Sequence, residues 1–92
     1  MTLRYSAQAE RDLERIGDWI SADNPIAAVT FVRALREKCR KVAEFPMAFP
    51  RVAGKPNLHR AGYRKYIIFY RVTKSGVTIS SIRHGARRPL DG

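Results

Sequence analysis

The chain has 92 residues, 45% of them hydrophobic, enough for one domain with one core, and no run nears the ~18 apolar residues of a membrane-spanning helix. A single cysteine, Cys39, excludes an internal disulfide and a cysteine-rich zinc site. The net charge of +10 is unevenly placed: residues 1–50 carry 8 Lys/Arg against 7 Asp/Glu, whereas residues 51–92 carry 10 against Asp91 alone. The second half therefore makes a field of one sign, suited to nucleic acid or to an acidic protein partner, where solubility alone is normally met with mixed signs.

"MTLRYSAQAERDLERI" has no charged-then-apolar leader pattern, so the expected location is the cytoplasm. "TLRYS" reads as a short opening strand with Leu3 and Tyr5 on one side. Ser6 is a helix cap, and from Ala7 to Ala22 the residues Ala9, Leu13, Ile16 and Ile20 recur at helical spacing. "DNP" stops that helix, and Asn24 caps a second one with Pro25 at its first position. From Pro25 to Ala43 the apolar stripe is Ala28, Phe31, Val32, Leu35, Cys39 and Val42. The short link makes the two helices an antiparallel hairpin. "EFPMAFPRVAGKPN", with Pro46, Pro50, Gly54 and Pro56, is a returning loop.

Three strands follow: Leu58 to Gly62, Arg64 to Val72, and Val77 to His84 after the turn "TKSG". In the last strand Val77 and Ile79 share one parity and Ile82 has the other, so a bulge near Ser80–Ser81 is expected. The tail "GARRPLDG" has too little apolar content to order itself. This order predicts a single α+β domain over residues 1–92, with an N-terminal strand and a helical hairpin packed on one face of a small, mainly antiparallel sheet.

The strand "RKYIIFYRV" then has two sides. Tyr66, Ile68, Tyr70 and Val72 should face the helices, and Lys65, Ile67, Phe69 and Arg71 an uncovered face. An isoleucine and a phenylalanine among cations on an open sheet face point to a docking surface, unless the loop or tail folds over them. Arg60, Arg64, Lys65, Arg71, Arg83, Arg87 and Arg88 are able to grip phosphates, though about half of them should be solvated edge charges. Arg60 and Arg64 bracket the "AGY" junction and Arg83 and Arg87 the end of the last strand, so these four are expected to gather at strand ends.

The chemistry of an enzyme is thin. There is no Gly-rich phosphate loop and no His/Cys/Asp/Glu cluster at metal spacing, both histidines lying among cations; no cofactor is implied. Paired-carboxylate hydrolysis is disfavoured, because the second half has one acid and the helical acids are expected to point outward. Cys39, on the apolar stripe, reads as core. His84 reads as a structural hydrogen-bonder or a general base, and Trp19 as core or hairpin packing before a binding hot spot.

"SAQAERDLERIGDWI", "NPIAAVTFVRALREKC", "VAEFP", "YRKYIIFYRV" and "IRHGAR", in this order and spacing over nearly the whole chain, resemble the RelE/ParE family of toxins from type II toxin–antitoxin modules. The resemblance implies two helices on a small antiparallel sheet, and a cognate antitoxin whose acidic or amphipathic segment wraps the toxin. Lys65, Ile67, Phe69 and Arg71 are the candidates for that contact, and a higher-order hetero-oligomer is possible. RelE-like members cut mRNA in the ribosome with a basic set and often a C-terminal tyrosine; ParE-like members poison DNA gyrase. "YIIFY" matches the RelE-type strand, but Ile67 stands where the resemblance puts a catalytic arginine, and no tyrosine follows Arg87. Arg87 matches the family's terminal arginine and Arg60 a basic position on the preceding strand. The endings look more like ParE. The resemblance thus implies a gyrase poison without catalytic residues, with Arg60, Arg64, Arg83 and Arg87 as candidate contacts to gyrase or nucleic acid. The alternative is a ribosome-dependent mRNA interferase, and a third possibility is a basic domain that only binds nucleic acid.

Overall fold

The computed structural model describes residues 2–85, so the tail from Ala86, including Arg87 and Arg88, lies outside the described residues. The chain runs β1 (Thr2–Tyr5), α1 (Ala7–Ser21), α2 (Pro25–Glu44), a 3₁₀ turn (Pro46–Ala48), β2 (Arg51–Val52), β3 (Lys55–Tyr63), β4 (Tyr66–Thr73) and β5 (Gly76–His84). The five strands form one sheet in the order β1-β5-β4-β3-β2. β1 runs parallel to β5, and the other pairings are antiparallel. The expected α+β architecture is present, with two differences. The segment after α2, expected as loop, contributes β2 and the start of β3. Arg64 and Lys65, expected at the head of a strand, form instead the two-residue turn between β3 and β4.

Both helix caps are those the sequence indicates. The Ser6 hydroxyl oxygen accepts from the Ala9 N–H at 3.0 Å, and Asn24 Oδ1 accepts from the Ala27 N–H at 3.0 Å, each satisfying a donor that the first turn leaves unpaired. Leu13 and Ile16 of α1 and Leu35, Cys39 and Val42 of α2 pack with Ala61, Ile68, Tyr70, Val77, Ile79 and Ile82 of the sheet. Cys39 is fully buried, as its place on the stripe indicates. Burial holds its thiol up at about 11, which leaves it protonated and unreactive near neutral pH.

The bulge near Ser80 is present. Phe69 pairs with Ser81 but Tyr70 with Ile79, so Ser80 is the extra residue. It lets Ile79 and Ile82 both enter the core despite their opposite parity. Beyond Tyr5 the strand β1 has ended, and the start of α1 takes over as partner to β5. The Ser6 hydroxyl donates to the Ser80 carbonyl at 2.8 Å, and Asp12 Oδ2 accepts from the Ile82 N–H at 2.9 Å. Asp12 is 1% exposed, which corrects the expectation that the helical acids point outward. Its other oxygen accepts from Gln8 at 2.8 Å and from Arg15 at 3.1 Å. Asp12→Ala would leave the Ile82 N–H buried without a partner, at a cost of about 2 kcal/mol. The melting temperature should fall by roughly 8–16 °C. Asp12→Asn, which keeps a carbonyl acceptor, should lose clearly less, and equal losses in thermal melts of the two variants would show that the Ile82 bond is not what Asp12 supplies.

Candidate functional site: an acid-free sheet face

The helical hairpin packs on the side of the sheet that carries Tyr66, Ile68, Tyr70 and Val72, as their alternation requires. The opposite face is read off the strand register. Ile67 lies between Gly62 on β3 and Arg83 on β5. Phe69 lies between Arg60 and Ser81, and Arg71 between Leu58 and Thr78, with Arg4 of β1 beyond Thr78. Ile67 and Phe69 are half-buried, while Arg4, Arg60, Arg71 and Arg83 are exposed. Gly62 leaves the flank of Ile67 open, since a Cβ added there would meet nothing within 4 Å. The result is a shallow apolar strip of Leu58, Ile67 and Phe69 set among four guanidiniums.

The expected site residues divide on this geometry. Arg60 and Arg83 flank the strip from either neighbouring strand, roughly 10 Å apart across the sheet. Ile67, Phe69 and Arg71 share the face. Lys65 and Arg64 do not lie on it as strand residues; they occupy the hairpin turn at its end. Arg64 has φ 57, a left-handed conformation costing a non-glycine residue about 1 kcal/mol, and its guanidinium sits 5.8 Å over the Tyr63 ring. The expected gathering of four arginines at strand ends is therefore replaced, among the described residues, by two on the face and one at the turn, with Arg87 outside them.

Charge is segregated by layer. The seven acids of residues 1–50 all belong to the helical part of the chain, and residues 51–85 contain none. The ion pairs Arg15–Asp12, Arg36–Glu10 and Arg40–Glu37 join helical residues. Among the described residues no carboxylate is paired with Arg4, Arg60, Arg71 or Arg83. Their fields add, and an anionic segment crossing the face would meet them with no competing acid.

The other side of the sheet holds the polar side chains that sequence reasoning placed elsewhere. His59 is 4% exposed, not set among cations. Its Nδ1 lies 2.9 Å from the Phe49 carbonyl, to which a protonated Nδ1 donates, and its ring stacks 5.1 Å from that of Tyr70. The Tyr70 hydroxyl donates to the Pro46 carbonyl at 2.6 Å, and burial pushes its pKa up to about 12. His84 packs edge-on against Tyr66 at 5.1 Å. It follows Arg83 in an extended strand and so points to the opposite face. An imidazole and the cations of the open face are therefore not assembled into one site among the described residues. Trp19, expected in the core or hairpin packing, is 69% exposed. No described group of three or more His, Cys, Asp or Glu is placed to hold a metal ion, and no described helix is long and apolar enough to cross a membrane.

The family model described as the ParE toxin of type II toxin–antitoxin system, parDE, matches residues 3–89. Among solved structures, the chain is similar to the chromosomal ParDE toxin–antitoxin system from P. aeruginosa, with a TM-score of 0.76 and 19% identity over 91% of this chain and 95% of that one. It is also similar to the intact E. coli RelBE toxin–antitoxin complex, with a TM-score of 0.65 and 21% identity over 92% of this chain and 96% of that one. No curated protein matches the sequence. At these identities the structural likeness establishes the fold.

Proposed function

The chain belongs to the ParE toxin family of type II toxin–antitoxin systems, and from that premise we propose that it arrests growth by poisoning DNA gyrase in the cytoplasm and is silenced by an antitoxin lying on the open sheet face. The observation that carries the reading is the face itself: an apolar strip through Ile67 and Phe69, ringed by arginines and, among the described residues, free of acids. An amphipathic segment with acidic residues is its complement. A specific interface there should bury on the order of 1,600 Å². Two features favour gyrase over RNA as the target. Ile67 lies on the central strand of the face beside the β3–β4 turn, at the position where the resemblance would put the arginine of an RNA-cutting toxin, and His84 points away from it. One feature favours the alternative, a ribosome-dependent mRNA interferase: Arg60 and Arg83 flank the same strip and are able to stabilise charge on a phosphate in transit.

A supercoiling assay with purified gyrase separates the two. The purified chain should inhibit gyrase, with inhibition relieved by the cognate antitoxin. Unimpaired supercoiling together with codon-specific mRNA cleavage on programmed ribosomes would replace this reading with the interferase.

A further inference from the structure

The loop between α2 and β2 displays two large apolar side chains to solvent: Phe45 is 66% and Met47 62% exposed. Its backbone, in contrast, is fastened at both ends from the helix-facing side of the sheet. Buried Tyr70 donates to the Pro46 carbonyl at 2.6 Å, and His59 bonds the Phe49 carbonyl at 2.9 Å. The Phe49 ring packs edge-on to Tyr70 at 6.5 Å beneath the Lys38 ammonium, and the Ala48 N–H donates to the Phe45 carbonyl at 3.1 Å. Pro46 and Pro50 restrict the chain further. Two exposed apolar groups are thus held on a pre-organised support, which lowers the ordering cost of docking them into a partner. The neighbourhood is cationic: residues 37–55 hold Lys38, Arg40, Lys41, Arg51 and Lys55 against Glu37 and Glu44, and Glu37 is taken up by Arg40.

We infer that this loop is the toxin's docking point for its protein target, with Phe45 and Met47 entering an apolar pocket rimmed by Asp and Glu side chains. The inference rests on the toxin reading above and gives it a second surface, reached from the side of the sheet opposite the arginine-ringed face. Fixed loop geometry suits a pocket of defined shape, whereas insertion into an anionic membrane requires no such fixing; the cationic surround matches an acidic rim.

The test compares wild type with Phe45→Ala/Met47→Ala, and with Met47→Glu, which spares the helix-ending Phe45. Three readouts are needed: growth arrest on induction, inhibition of purified gyrase, and antitoxin affinity. Both variants should melt near the wild-type temperature, bind antitoxin within about twofold of wild type, and lose toxicity and gyrase inhibition at least tenfold. Wild-type toxicity in the variants overturns the inference, as does a parallel loss of antitoxin binding, which would assign the loop to the antitoxin. Phe45-dependent sedimentation with phosphatidylglycerol vesicles, with toxicity unchanged, overturns it in favour of a membrane. If wild type leaves gyrase untouched, the gyrase reading fails by itself. The loop is then judged on growth arrest alone, where equally toxic variants overturn it and non-toxic, antitoxin-binding variants support it.

Discussion

Gly76→Ala should lower the melting temperature by roughly 10–30 °C, a loss of about 2–4 kcal/mol. Gly76 opens β5 beside β1, pairing with Thr2, at φ +148, where L side chains are strained. A Cβ there would lie 2.1 Å from the Thr2 carbonyl oxygen and 2.9 Å from the Thr2 nitrogen and carbonyl carbon. All three are backbone atoms, so no rotamer change relieves the clash; β1 must withdraw. Withdrawal exposes Leu3 and Tyr5, which pack against the core, and pulls on Ser6, which begins α1 and bonds the β5 bulge. Gly54 supplies the control. Its φ is +77, but a Cβ would meet nothing within 4 Å, so Gly54→Ala should cost only the backbone term of about 1 kcal/mol. Equal melting shifts for the two variants would contradict the close approach of β1 to β5.

Phe69→Asp should weaken antitoxin binding by roughly 30-fold or more, the equivalent of about 2 kcal/mol at a central aromatic of an interface. Phe69 sits mid-strip between Arg60 and Ser81. The substitution removes the largest apolar group of the face and sets a carboxylate against an incoming acidic segment. The fold should tolerate it, since the ring is on the side away from the helices and the new acid joins a face rich in arginines. Exchanging a half-buried ring for a poor strand former should cost the fold about 1 kcal/mol. The check is titration calorimetry with the antitoxin beside a thermal melt. An unchanged affinity in a folded variant would remove this face as the docking site.

Periodicity carried most of the fold. The two helices and the inward set Tyr66, Ile68, Tyr70 and Val72 follow from spacing, both caps from the residue types Ser6 and Asn24, and even the bulge at Ser80 was legible as a parity break between Ile79 and Ile82. What spacing could not show was which polar residue a distant element would need. Asp12 looks like one more surface acid until β1 stops at Tyr5 and the Ile82 N–H lacks a partner. His59 lies in a basic run, yet its strand parity turns it inward, and that alternation was the available signal. Arg64 and Lys65 looked like strand residues because no glycine or asparagine marks their turn; the chain accepts a left-handed arginine there instead. Trp19 misleads for a different reason. Its type suggests burial, but it falls outside the Ala9, Leu13, Ile16 and Ile20 row that meets the core. Within the candidate site, the composition of the face was readable strand by strand, whereas the neighbours of Ile67 and Phe69 required register.

The most direct test of the account is the order in which synthesis stops after induced expression in a bacterium lacking the antitoxin. Pulse labelling should show DNA synthesis falling before translation, with no new mRNA ends at ribosomal A-site codons and with rescue on co-expression of the antitoxin. Translation stopping first, accompanied by codon-specific mRNA ends, would contradict gyrase as the target and make the arginine-ringed face an RNA-cutting site.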